Sequence, residues 1–445
     1  MTQYAAPGQP GSVVAYRPRY DHFIGGDYVS PVSGEYFENV TPVTGEVFTE
    51  VARGTDADRA RALHAASSAA PAWGNTTARV RATVLGEVAD RIEEHATELA
   101  VAETWDNGKP VREALVADVP LLIEQFRQFA AVIRTEVGQV EQLGPDTCDY
   151  RTFQPLGVVH ERLPWTFPLM NAGRVLAPAL AAGNAVVLEP AQQTPASIHV
   201  LLGVIADLLP PGVVNVVTGS DDHRVVSGRC PNIFFSDVVA QRDSFLDKAL
   251  EGFAMFAANQ GETATAPSRA LIQTAAYEEL LHLATERTQQ LRSGDPLDTD
   301  TTVGAVVSLA QRDRVLAHIE RGKAEGARLV TGGEADGHFV RPAILEGDHR
   351  SAVFADDVLG PVVSVTRFDD RDDALKIANE ATAQLGAGVW CRDLALAHNV
   401  GHDLRAERVW VNNYHAYPAN TAALAGYRRV KHLLVSYSDR GQSGF

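Results

Sequence analysis

The sequence predicts an α/β fold built on a Rossmann-like parallel sheet, and three features predict it. An apolar run at 185–188, a helical stretch at 196–209 and a second apolar run at 213–217 have the spacing of a parallel strand-helix-strand unit. Apolar residues recur at helical spacing through 56–132, enough for several amphipathic helices. At 149–159 the pattern changes to the alternation of a strand with two unlike faces.

Length and composition set the frame for this reading. At 445 residues, with 45% hydrophobic and 21% charged content and 36 glycines, the chain is an ordinary globular protein with room for two or three domains. Its formal charge of −17 repels phosphate backbones and anionic membrane surfaces, which argues against a nucleic-acid or membrane role. The three cysteines, Cys148, Cys230 and Cys391, are widely spaced and fit neither a metal site nor a disulfide framework, so a reducing cytoplasm is expected. Residues 1–20 read as a loose arm, and no apolar run of about 20 residues marks a membrane span.

Taken in order, Phe23-Ile24-Gly25-Gly26 and 40–47 read as short strands joined by turn residues. A helix starts at Asp56, carries Ala60, Leu63 and Ala66 on one face, and is expected to end at Pro71-Ala72-Trp73. Two more helices are expected at 79–102 and 111–132, separated by the turn Asp106-Asn107-Gly108-Lys109-Pro110. That Gly-Lys pair lacks the rest of a phosphate loop. Beyond it lie a turn at Pro164-Trp165-Thr166-Phe167-Pro168, a helix, and the strand-helix-strand unit; an apolar run, Leu433-Leu434-Val435, follows late in the chain.

Asn259-Gln260-Gly261-Glu262 followed by Pro267-Ser268-Arg269 resembles the nucleophile loop of the NAD(P)-dependent aldehyde dehydrogenase superfamily, as do the 106–110 and 164–168 turns. The resemblance covers essentially the whole chain. It is nearest the branch that oxidises acetaldehyde and other short aldehydes, through Asn413-Tyr414-His415-Ala416-Tyr417-Pro418 and Val435-Ser436-Tyr437-Ser438. It implies an aldehyde dehydrogenase fold in three parts: a truncated dinucleotide-binding-like domain (1–138 and 159–227), a catalytic-like domain (228–425), and oligomerisation strands (139–158 and 426–445). It also implies covalent chemistry, in which a thiolate attacks the aldehyde and hydride passes to the nicotinamide.

At the positions that carry this chemistry in the family, the residues differ. Ala264 stands where the family has its cysteine, and losing a nucleophile costs on the order of 10⁶ in turnover. Thr166 replaces an asparagine that donates to the oxyanion, a loss of about 10² to 10³. Glu189 and Gln192 replace the Lys and Glu that grip the adenosine ribose, reversing the sign of one contact. A strand-helix unit of roughly 30 residues is missing before Cys230, and with it a pyrophosphate site at a helix start; the general-base position falls at Val225. Asp357 retains a ribose-binding acid, but Leu359 replaces a phenylalanine beside the nicotinamide, and a basic Gly-rich segment is missing after Arg428.

These losses lead to the expectation of a catalytically inactive homologue, a pseudoenzyme with no cofactor. It would act as a structural or regulatory subunit, as a homo-oligomer or paired with an active aldehyde dehydrogenase. The alternative is a working NAD(P)-dependent aldehyde dehydrogenase for short aldehydes with a displaced nucleophile such as Cys230. A third reading is a binding module whose cleft is lined by Trp165, Phe167 and Tyr414. Thr263 and Thr265 are expected to be polar loop residues, and Cys230 and Cys391 small core residues. His402, His415 and His432 lack metal-ligand spacing, and Arg174 holds a charge where the family has Lys.

Overall fold

The computed structural model describes residues 2–219, 228–380, 384–417 and 421–438. Two sheets with parallel cores dominate it. The first has five strands in the order Asp27–Val29, His22–Ile24, Val214–Val216, Ala185–Pro190 and Val158–Leu163. The last three run parallel, and His22–Ile24 runs antiparallel to Val214–Val216. Helices Ala78–Glu94, Val119–Thr135, Pro168–Ala182 and Ala196–Ile205 pack with it into one apolar core that includes Leu85, Phe126, Leu176 and Leu201.

The second sheet has seven strands, in the order Arg328–Thr331, Ala343–Glu346, Val362–Phe368, Arg269–Gln273, Pro231–Phe234, Ala387–Trp390 and Val409–Val411. All its pairs are parallel except the first. Strands buried on both faces read as unbroken apolar runs, which is why Ala387–Trp390 is entirely buried.

A third, antiparallel sheet joins Gln139–Gly144, Thr147–Pro155 and Arg428–Ser436, with Arg428 opposite Pro155 and Ser436 opposite Thr147. Val140, Leu143, Phe153, Val430, Leu433 and Leu434 on it are exposed. Asn184 ties the base of this sheet to the first one, accepting from Gly157 N at 2.9 Å and donating to Tyr427 O at 2.8 Å.

Several element boundaries differ from expectation for physical reasons. The first helix runs through Pro71 to Gly74, at the cost of the one backbone bond that Pro71 cannot donate. The stretch expected as one helix at 79–102 is two, Ala78–Glu94 and Ala96–Asn107, meeting at His95. The third expected helix contains a π-helical turn at Ala114–Asp118, where Asp118 turns inward to pair with Lys109.

Candidate functional site

The loop resembling a nucleophile loop is held in an unusual backbone shape. Asn259, Gln260 and Gly261 all adopt left-handed φ, at 50°, 43° and 72°. For a residue with a β-carbon this conformation costs free energy, and it persists only where its surroundings enforce it. Here Asn259 N donates to Glu113 Oε2 at 2.8 Å, Asn259 Nδ2 to Glu262 O at 2.8 Å, and Gly360 N to Gly261 O at 3.0 Å. The Glu262 carboxyl accepts from Val307 N and from Gln260 Nε2, both at 2.9 Å. Burial pushes it up to about 8.

Asn107 joins this loop to the 164–168 turn, donating to Trp165 O at 2.8 Å and accepting from Gln260 at 3.4 Å. Beside it Lys109 is fully buried, paired with Asp118 and, at 3.2 Å, with Glu103; its ammonium lies 4.1 Å from the Phe167 ring centre. The Asp106–Pro110 stretch is therefore a buried brace beneath both loops.

The structure brings several expected positions together. Trp165, Ala191, Val307 and Leu359 form one small apolar cluster, so the 164–168 turn, the strand end carrying Glu189 and Gln192, and the Asp357–Leu359 segment meet at one place. Thr166, next to Trp165 in the chain, is buried. A cleft of about 610 Å³ opens beside this cluster, lined by Gln311, Arg314, His318, Arg321, Asp357 and Leu359 among others. The helix Leu309–Ala324 supplies most of that wall, and sequence reading missed it because its polar face looks like any solvated face. Val225 lies outside the described residues.

Glu189 is not a lone charge. Its buried carboxylate is bonded to His160 and sits 3.7 Å from Arg59, itself paired with Asp56, and 3.9 Å from Arg162. Gln192 is half-buried beside it.

Ala264 has a thiol against it. Cys230 is fully buried and its Sγ lies 3.8 Å from the Ala264 carbonyl oxygen, which also accepts from Gly228 N at 3.3 Å. Burial, and next the negative charge of Asp357, push this thiol up to about 12. The adjacent Thr265 is partly exposed, with its hydroxyl 2.9 Å from Tyr417 OH and 3.3 Å from His415 Nε2. Tyr414 OH donates to the Thr265 carbonyl at 3.0 Å. Cys391 is buried, bonding Asp237, and is remote from this loop in the sheet. His432 pairs with Asp149 on the third sheet, and Arg174 is exposed.

A family model described as the aldehyde dehydrogenase family matches residues 28–228 and 226–430. A fluoroacetaldehyde dehydrogenase from Streptantibioticus cattleyicolor is 50% identical over an alignment of 507 residues that covers 100% of both chains. Acetaldehyde dehydrogenase 2 from Cupriavidus necator is 46% identical, covering 95% of this chain and 96% of that one. Among solved structures, a cysteine-to-alanine mutant of indole-3-acetaldehyde dehydrogenase from P. syringae, in complex with NAD⁺, superposes with a TM-score of 0.89 at 31% identity. That match covers 95% of this chain and 97% of the other. These findings overturn two expectations, the inactive scaffold subunit and the absence of a cofactor. The relatives that match from end to end are named dehydrogenases, and a structural neighbour without the cysteine at its mutated position still holds NAD⁺.

Proposed function

The chain belongs to the aldehyde dehydrogenase family, and from that membership we propose that it is an NAD(P)-dependent dehydrogenase oxidising short aldehydes, with Cys230 as its displaced nucleophile. The observation that carries this reading is the contact of the Cys230 thiol with the Ala264 carbonyl, which puts a thiol against the loop that lost one. Short aldehydes are favoured because the similar relatives are named for fluoroacetaldehyde and acetaldehyde.

The residues fit a dinucleotide. In the cleft, Arg314 offers positive charge to phosphate oxygens, Arg321 being paired with Asp356 at 2.7 Å, while Gln311 and Asp357 offer acceptors to ribose hydroxyls. Gln311 is fixed by donating to Leu359 O. At the strand end, the half-buried Gln192 gives a further acceptor. The chemistry a bound nicotinamide supplies is acceptance of the hydride leaving the aldehyde carbon.

The Cys230 thiol must first give its proton to water; Sγ then attacks the aldehyde carbon, hydride would leave that carbon for a bound nicotinamide, and water would release the acid from the thioester and restore the thiol. With the thiol pushed up to about 12, only about 10⁻⁵ of it is ionised at neutral pH. Turnover is therefore expected to be slow and to rise with pH. The domain division at residues 227 and 228, a cytoplasmic location, and self-association through the exposed Thr147–Pro155 and Arg428–Ser436 strands belong to the same reading.

The test is NADH formation from acetaldehyde at rising pH, with NAD⁺ binding measured by calorimetry on the same preparation. Cys230→Ser is expected to abolish turnover, by up to the order of 10⁶, and to leave NAD⁺ affinity unchanged. Failure of the natural chain to bind NAD⁺ at millimolar concentration would sink the proposal.

A further inference from the structure

A buried thiol reacts only when something uncovers it. Cys230 is fully buried, and the loop carrying Ala264 lies against its sulfur. Part of that loop is strained, since Asn259 and Gln260 carry β-carbons in the left-handed conformation. Such a segment relaxes once its fastenings are released, so the fastenings control access to the thiol.

Two of the fastenings are carboxyl groups of one cluster. Glu113 Oε2 accepts from Asn259 N at 2.8 Å, while Glu262 accepts from Val307 N and from Gln260 Nε2, both at 2.9 Å. Glu262 is the deeper of the two, fully buried where Glu113 is half-buried. Lys109 faces both, Asp118 and Arg112 also face Glu113, and Asp118 and Glu103 take up the Lys109 ammonium. One buried cation cannot balance four acids, so part of the cluster stays protonated at neutral pH. Burial, the largest cause in each case, raises Glu262 to about 8 and Glu113 to about 7. The enclosed carboxyl group favours the closed loop while it is neutral, and charging it as pH rises works against that loop.

We propose that Glu262 is the latch of the 259–264 loop: neutral, it holds the loop closed over Cys230, and its ionisation releases the loop and bares the thiol. The latch stands on its own contacts; that it governs turnover rests on Cys230 being the nucleophile.

The experiment is alkylation of the full chain by iodoacetamide, without cofactor or aldehyde, between about pH 6 and 10, with peptide masses assigning the label to each cysteine. An accessible thiol gains about tenfold in rate per pH unit as its thiolate forms, and the half-buried Cys148 sets that reference. Cys230 is expected to gain about a hundredfold per unit up to about pH 8, because two protons must leave, and to rise less steeply above it. Glu262→Gln keeps the shape but cannot charge, and should return Cys230 to about tenfold per unit. Glu113→Gln leaves the latch in place and should keep the steep rise. The proposal is overturned if Cys230 in the natural chain merely follows Cys148, or takes no label at any pH, results that need no variant to fold. A steep rise that survives Glu262→Gln overturns it as well. So does an equal rise at Cys391, which is buried in the sheet and reports opening of the whole chain. The expected pattern in a chain that forms no NADH supports the latch and counts against the reaction alone.

Discussion

Glu189 and Lys109 show how far a single residue can be read from its letter. Glu189 reads as a reversed charge, yet Arg59, His160 and Arg162 come from a helix and a neighbouring strand to surround it. No local pattern reveals that they meet, because they are brought together only when the sheet forms. Ala264 is the opposite case: its chemistry was legible at once, while the thiol against its carbonyl was not, since Cys230 precedes it by 34 positions. Lys109 carries a prediction at this scale. Lys109→Met would leave Asp118 and Glu103 buried without their shared cation, which typically costs about 3–5 kcal/mol. Urea unfolding of the variant measures it, and a loss under about 1 kcal/mol would mean water reaches these carboxylates.

Among the elements, the strand near 149–159 and the strand-helix-strand unit were legible, because alternation, apolar runs and turn residues are local signals, whereas the short strands of the seven-stranded sheet were not. Helix interruptions were not, since neither His95 nor Ala114–Asp118 contains glycine or an interior proline; packing and the inward pull of Asp118 decide them. The nucleophile loop was recognisable by its letters, but its three left-handed residues were not, as only Gly261 advertises that shape. A β-carbon on Gly261 would lie 2.0 Å from Gly360 O, so Gly261→Ala has to break the contact that fastens this loop to the 355–361 segment. Its expected effect is a loss of stability well above the roughly 0.4–1 kcal/mol that glycine replacement gains where φ permits it. Denaturant midpoints for the two chains decide the matter, and an unchanged midpoint would show that the loop shifts freely.

For the molecule as a whole, two sets of buried groups oppose each other as pH changes. Burial holds His199 at about 3 and His318 and His415 at about 4, below the ordinary 6.5. Unfolding lets them take protons, so the stability they contribute is complete above pH 6.5 and is lost as pH falls through about 4. Burial raises Asp106 to about 6, Glu113 to about 7 and Glu262 to about 8. The folded chain keeps protons that the unfolded chain releases, so this contribution is complete below about pH 4 and is lost as pH rises through about 8. Between about pH 4.5 and 6.5 the two slopes oppose each other, the acids, with Glu103 raised to about 7 among them, slightly outweighing the histidines. Tm is expected to vary least across that window and to fall outside it, and a Tm that climbs steadily to pH 8 would refute the account.

The third sheet adds a temporal constraint. Thr147–Pro155 pairs with Arg428–Ser436, strands separated by most of the chain. While a ribosome is still making the residues between them, Thr147–Pro155 has its hairpin neighbour on one side and an unsatisfied backbone edge on the other. Polypeptides that stop before residue 428 keep that open edge, an adhesive surface which a protease or chaperone can recognise as the mark of an unfinished molecule.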